Sequence, residues 1–253
     1  MSAEQYLRGI LAREAVDTGI FSPVRSVQQV IQPILASWAP NVLNSVTPSG
    51  SFAKGTAVAS GTDIDLFISL NPNLSATLKE IYNSLFSRMQ EEGYKPRRQN
   101  VSIGIKVGNY DVDLVPAKQQ NYGYTDHSLY RSRADTWTKT NVATHISTVS
   151  GCGRLNEIRI IKLWRNQKGL DFPSFHLELA VIEALKMSLF MGLEANLQNA
   201  FIYLRDRLPN ARFVDPANTS NVISDDLSAA AKTTISNAAE TAAAATTWGE
   251  VVR

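Results

Sequence analysis

Two short apolar runs with aspartates at alternate positions, DIDLFISL (63–70) and YDVDLVPA (110–117), constrain this chain more than any other feature. Each reads as a β-strand, and side chains two apart on a strand project from one face. Asp63 and Asp65 therefore share a face, and so do Asp111 and Asp113. Neighbouring strands would bring Asp63, Asp65 and Asp113 to one place. Carboxylate oxygens are hard ligands that suit magnesium, which takes a few of them and completes its shell with water and substrate phosphate. Two such ions about 3.5–4 Å apart can activate an attacking hydroxyl and stabilise a leaving pyrophosphate. An aspartate at a strand edge is also an ordinary solvated residue, so the spacing alone does not decide the matter. Asp111 stands equally as a fourth acidic contact or as a surface side chain.

The residues just before the first run sharpen the reading. Ser49, Gly50 and Ser51 precede FAKGTAVASGT, which leads into Asp63. Glycine and serine opening a short helix after a strand present free N–H groups to an anion, and a serine hydroxyl adds a donor. A Gly-Ser pair is common in turns. Joined to a paired aspartate about a dozen residues later and a third on a following strand, it reads as a phosphate cradle beside a metal site.

Around these motifs the chain divides by pattern. Residues 3–18 and 24–38 read as two helices of an N-terminal spine, the second interrupted by Pro33 and closed by Pro40. From Val42 to Ala117 short apolar runs, with one helix at 75–91, describe a mixed α/β lobe. Beyond Thr125 the strands are expected to stop and helices to take over, at 156–167, 174–192 and 196–208. The last segment, from Asp226, is rich in Ala and Thr, with Ser228 placed to cap a helix; it reads as helix or frayed tail. The expected division is 1–125 and 126–253.

Composition excludes several classes. One cysteine, Cys152, rules out a disulfide framework and a Cys-type zinc site, and favours a reducing cytoplasm. No stretch approaches 18 apolar residues, and the N-terminal segment lacks the uninterrupted apolar core of a signal peptide, so no membrane association is expected. The net charge of +2 is uneven: residues 118–168 hold nine Lys or Arg against three acids, leaving the rest of the chain net negative by four. A local basic segment facing an acidic cluster suits metal-held polyphosphate better than long nucleic acid. His127, His145 and His176 do not cluster at metal-ligand spacing and read as structural, with His145 given a small functional weight; Trp137 and Trp164 read as packing residues.

GSFAKGTAVASGTDIDLFI followed by DVDLVPA resembles the polymerase-β-type nucleotidyltransferase superfamily, in particular the branch of oligoadenylate synthases, cyclic GMP-AMP synthase, bacterial CD-NTases and archaeal CCA-adding enzymes. EIRIIKLWRNQKGLDFPSFHLELAVIEAL resembles the helical half of oligoadenylate synthases and CD-NTases, and FVDPANTSNVISDDL their C-terminal segment. The resemblance covers about 40 to 240 and implies a mixed-sheet nucleotidyltransferase lobe packed on a helical C-terminal lobe, with the active site in the cleft between them.

It also implies roles. Asp63 and Asp65 would hold two magnesium ions, with manganese able to substitute, and Asp113 would be the third ligand and accept the incoming hydroxyl's proton. Gly50 and Ser51 would hold the donor triphosphate. Lys162 matches a family lysine that reaches the donor phosphates, although a helix lysine can also simply snorkel. Ser174 and Phe175 match a phosphate-contacting serine and a base-stacking aromatic; Phe175 departs from the more usual tyrosine and equally reads as core. The implied reaction is transfer of a nucleoside monophosphate from an NTP, ATP or GTP, to a hydroxyl with release of pyrophosphate. The first expectation is a CD-NTase-like or oligoadenylate-synthase-like enzyme making a short cyclic or linear signal in antiphage defence. The second is transfer to an RNA 3′ end, and the third an NTP-binding sensor without turnover.

Overall fold

In a computed structural model the residues described are 2–19, 21–61, 63–188 and 191–253. The first half contains α1 (Ala3–Arg13), α2 (Pro23–Trp38), β1 (Leu43–Pro48), α3 (Gly50–Lys54), β2 (Ile64–Leu70), α4 (Leu78–Glu91), β3 (Arg97–Arg98), β4 (Ile103–Val107) and β5 (Tyr110–Gln119). The second contains β6 (His127–Arg131), β7 (Thr136–Thr140), α5 (Val142–Ser150), α6 (Leu155–Gln167), α7 (Ser174–Ala184), α8 (Leu193–Asp206), β8 (Val214–Asp215), β9 (Asn218–Val222), α9 (Ala229–Ala243) and α10 (Trp248–Val251). Two units result. The α/β unit comprises Asp17–Lys54 and Thr62–Ile146, and the helical unit comprises Met1–Val16, Gly55–Gly61 and Ser147–Arg253.

The α/β unit is built on a seven-stranded mixed sheet, in the order β1-β2-β5-β4-β3, with β6 added to the end of β5 and β7 to β6. Alternation along β2 and β5 assigns the faces. Ile64, Leu66, Ile68 and Leu70, with Val112 and Leu114, face a core completed by Val24, Val27, Ile31 and Leu35 of α2 and Ile81, Tyr82, Leu85 and Met89 of α4. The intervening residues Asp65 and Asp113 fall on the opposite face. Farther along that face Phe67, Ala117 and Leu129 make a small second core. α4 starts at a reciprocal cap, Thr77 with Glu80, a Thr-x-x-Glu signal legible in the sequence.

Several expectations are corrected. Strands do not end at Thr125: β6 and β7 carry the α/β unit on to Ile146. HSLYR and TWTKT are polar on one side and short, so their signal is weak until they find β5. The two N-terminal helices do not form one spine, because α1 belongs to the helical unit and α2 to the α/β unit. Pro33 does not interrupt α2. Pro33 and Gln29 are both exposed, so the carbonyl left without its usual donor meets water, while buried residues on the opposite side hold the helix. α7 ends at Ala184 rather than 192, and of that expected extension Leu189 and Phe190 lie outside the described residues. The C-terminal segment is helix, capped as expected by Ser228, whose hydroxyl accepts from the Ala231 N–H.

The helical unit packs α1 and α6–α10 around Trp164 and Phe201, whose rings meet edge to face at 5.0 Å. The FVDPANTSNV stretch forms the β8–β9 hairpin, where Asp215 accepts from the Ala217 N–H and the Asn221 amide. His176 is fully buried between Phe172 and Phe213. Burial, with Lys232 adding to it, pushes the imidazole down to about 4. The unfolded chain takes up this proton near pH 6.5, whereas the folded chain refuses it until about pH 4. Stability from this residue is therefore complete above pH 6.5 and is lost as the pH falls toward 4. Thermal melts between pH 7 and 4 should show a steeper acid loss for the native chain than for His176→Phe; equal slopes would refute the assignment.

Candidate active site

The central geometric fact lies in the parallel register of β2 and β5. Asp65 stands directly beside Asp113, flanked by the pairs Ile64–Val112 and Leu66–Leu114. Asp63 precedes β2 by one residue and Asp111 lies two before Asp113, so the strip of acids expected from alternation exists on one face. Burial raises the Asp63 carboxyl above its ordinary value, with repulsion from Asp111 adding to the effect and Arg97 opposing it. Asp113 is raised for the same first reason, then by Asp63, against the hydrogen bond from Gln99 and the field of Arg97.

The cradle motif sits against these acids. β1 ends at Pro48, and the Ser49 N–H donates to the Asp65 carbonyl at 2.8 Å, which brings the start of α3 onto β2. Gly50 has φ +56°, and a Cβ built on it would run into the Asp65 carboxylate. Glycine is thus required twice at position 50, by the backbone and by the close approach. Ser51 follows in the first turn of α3.

Residues on the β3–β4 side, which sequence reasoning missed, complete the acid strip. The Gln99 amide donates to Asp113 Oδ1 at 2.9 Å, and the Ser102 hydroxyl donates to Gln99 Oε1 at 2.7 Å. Arg97 pairs with Asp111 at 2.9 Å. Gly104, paired across the strand with Asp113, leaves room for this arrangement: a Cβ there would lie 2.9 Å from Gln99 Nε2. Asp111 is therefore an arginine-paired side chain. No local pattern reveals Arg97 and Gln99 in the sequence, because β3 spans only two residues and its partners are set by pairing with β4.

The donor chemistry fits a divalent cation: oxygen ligands only, an excess of negative charge, and two carboxylates side by side on adjacent strands. Among the described residues no three acid, imidazole or thiol groups stand close enough to enclose an ion. Magnesium does not need such a cage, since one or two carboxylates with water and substrate phosphate suffice.

The helical unit holds the other expected residues. Ser174 opens α7 and accepts from Arg165 Nη1 at 2.9 Å, while the same nitrogen donates to the Phe172 carbonyl at 2.8 Å. Burial lowers the Arg165 guanidinium from its ordinary value, against the field of Glu178. Arg165 is thus the cation beside Ser174. Phe175 is partly buried and packs against the helical core. Lys162 is 2% exposed, and its ammonium donates to Glu178 Oε1 at 2.6 Å and Thr56 Oγ1 at 2.8 Å. The ammonium expected to reach a phosphate is engaged inside the unit.

The basic segment is likewise largely engaged internally. Arg154 donates to the Leu185 and Ser188 carbonyls, and Arg159 to the Leu11 and Glu14 carbonyls. Of the remaining sequence candidates, His127 is buried between the Ser69 hydroxyl and the Thr125 carbonyl, both at 2.8 Å, and Trp137 is exposed rather than packed. Trp164 is fully buried, as expected. No helix among the described residues is long and apolar enough to cross a membrane.

This mixed sheet, with acids on adjacent parallel strands behind a Gly-Ser turn and a helical companion unit, is the fold of the polymerase-β-type nucleotidyltransferases. The structure of CdnC with ATP from E. coli MS115-1 matches with a TM-score of 0.78 at 19% identity, covering 96% of this chain and 90% of that one. Cid1 poly(U) polymerase bound to MgATP matches with a TM-score of 0.68 at 12% identity, covering 95% and 93%. In sequence, the chain is 23% identical over 200 residues to the cyclic AMP-AMP-AMP synthase of Escherichia coli (strain MS 115-1), a region of 71% of this chain and 62% of that protein. These likenesses show that the chain shares the fold of CdnC and of Cid1 poly(U) polymerase. No protein-family model matches the chain.

Proposed function

We propose that this protein is a nucleotidyltransferase that joins nucleotides into a short cyclic or linear oligonucleotide signal, acting in antiphage defence. The observation that carries the reading is the placement of Asp65 beside Asp113 with Gly50 of the Gly-Ser turn closed against Asp65. A likeness to a cyclic AMP-AMP-AMP synthase supports the product class. Asp63, Asp65 and Asp113 would hold two magnesium ions, which when bound supply charge neutralisation for a triphosphate and its leaving group. The acceptor hydroxyl attacks the α-phosphorus of an NTP, the bond from that phosphorus to the bridging oxygen breaks, and pyrophosphate leaves. Asp113 takes the hydroxyl proton. Gln99 occupies Asp113 Oδ1 and so fixes which oxygen faces the acceptor. Backbone N–H groups at Gly50 and Ser51 bind the triphosphate, and in the helical unit Ser174, with Arg165 beside it, offers a hydroxyl and a cation suited to phosphate. Phe175, being half-buried, offers part of its ring to the base.

A second reading, transfer to an RNA 3′ end, draws on the likeness to Cid1. The test is incubation with labelled NTPs and magnesium, with and without total RNA, followed by separation of products. Short nucleotide products with released pyrophosphate are expected without RNA. Label found only on RNA would replace the first reading with the second, and NTP binding without pyrophosphate under either condition would leave a sensor.

A further inference from the structure

Within the α/β unit, Arg97 and Gln99 reach the acid strip across a strand position that carries no side chain. Gly104 of β4 pairs with Arg97 on one side and with Asp113 on the other. A Cβ built at 104 would lie 2.9 Å from Gln99 Nε2, 3.3 Å from Asp113 Oδ1 and 3.7 Å from Arg97 Nε. The missing side chain is the passage by which both residues meet the acids. Gln99 is clamped in place. Its N–H donates to the Ser102 carbonyl at 3.0 Å, its carbonyl accepts from the Tyr82 hydroxyl at 2.8 Å and the Ser132 hydroxyl at 2.6 Å, and its amide oxygen accepts from the Ser102 hydroxyl. Tyr82 is fully buried, so the clamp is rooted in the core under α4. An ionised carboxylate only accepts, which makes the amide nitrogen the end that meets Asp113 Oδ1. Asp113 then has one oxygen, Oδ2, to offer the site. Arg97 engages the remaining acid of the strip, Asp111, at 2.9 Å.

We infer that Gln99 and Arg97 set the metal selectivity of the acid strip, favouring magnesium over calcium: Gln99 holds Asp113 to a single oxygen, and Arg97 withholds Asp111. This rests on the proposed metal site and adds its selectivity. The two ions ask for different ligand sets. Calcium takes about six to eight oxygens and accepts both oxygens of one carboxylate, whereas magnesium keeps a near-octahedral shell of one or two carboxylates with water and substrate phosphate. A second oxygen from Asp113, or an unpaired Asp111, would add ligands that only the larger ion can use. Both residues act through the carboxylates they hold and are positioning residues, of the kind that tunes a metal site from behind its ligands.

The test uses metal alone. Manganese bound to the protein is followed by its paramagnetic resonance signal and displaced by magnesium or by calcium, in the native chain, in Gln99→Met and in Arg97→Met. Methionine is unbranched and removes the donor at 99 and the charge at 97. The ratio of calcium to magnesium affinity should rise about tenfold in Gln99→Met, the scale usual for a residue behind a metal ligand, and about threefold in Arg97→Met. The ratio is the readout that a merely structural role would not move. Loss of a nearby cation raises the affinity for both ions together, and a disordered site lowers both together. An unchanged ratio in Gln99→Met overturns the inference. Should Gln99→Met not fold, because the buried Ser102 hydroxyl loses its acceptor, an unchanged ratio in Arg97→Met, at an exposed position, overturns it instead. Asp65→Asn separates the two levels of the argument. Manganese binding that survives in Asp65→Asn overturns the metal site and the inference together, whereas binding lost in Asp65→Asn with an unchanged ratio in the other variants overturns the inference alone.

Discussion

Asp65→Asn and Asp113→Asn should each lower pyrophosphate release by about three orders of magnitude, equivalent to about 4 kcal/mol of transition-state stabilisation, without unfolding the chain. Asparagine keeps the shape of the side chain and at position 113 still accepts the Gln99 hydrogen bond through Oδ1. It removes the charge that binds metal and the group that takes the proton. Stability at Asp113, and at Asp63 in the matching variant, should move the other way. Both carboxyls are raised by burial and by neighbouring acids, so the fold penalises their ionised forms. That penalty is absent below the unfolded value near 3.8 and complete above the folded one. Asp63→Asn and Asp113→Asn should therefore melt at or above the native temperature at pH 7, with the gain fading as the pH drops toward 3.8. Turnover near the native level in either Asp65→Asn or Asp113→Asn would remove the metal assignment, and a large fall in melting temperature would make the carboxylates structural.

Gly50→Ala should reduce turnover at least a hundredfold and lower stability as well. The left-handed backbone costs an L-residue about 1–2 kcal/mol, and the added methyl cannot fit while Asp65 keeps its place. Either the start of α3 moves away or the carboxylate does, and both changes disturb the proposed phosphate and metal contacts together. Gly93 supplies the control. Its φ is +83° but a Cβ there meets nothing within 4 Å, so Gly93→Ala carries the backbone strain without the collision. Equal activity losses in the two variants would show that the effect at 50 is strain alone.

The acid strip was legible because it rests on local geometry. Alternation on a strand puts Asp63 with Asp65 and Asp111 with Asp113 whatever the rest of the chain does. Helices α2, α4, α6 and α8 were legible from their apolar period to within about three residues at the ends, whereas α1 and α7 end well before their expected bounds and α5 was not foreseen; Ser228 announced its own cap. β6 and β7 were not, since neither buries enough on one side to declare itself, and both exist by pairing outward from the end of β5. Gln99, Arg97 and Gly104 were invisible for a related reason: their meaning comes from facing Asp113 and Asp111 across strands, over 9 to 14 residues of chain.

Charge shows the limit most sharply. Nine cations between 118 and 168 suggested a basic face for polyphosphate, and the sequence does determine that surplus. Where each cation's charge goes depends on partners far along the chain: Thr56 lies 106 residues from Lys162, and Leu11 lies 148 from Arg159. The sequence by itself determined the period-two placement of the acids and the glycine before them, because bond geometry acts over two or three residues. Only the tertiary structure decided that Asp65 stands beside Asp113 and that Lys162 is buried against Glu178, because register and ion pairing follow from which distant surfaces exclude water together.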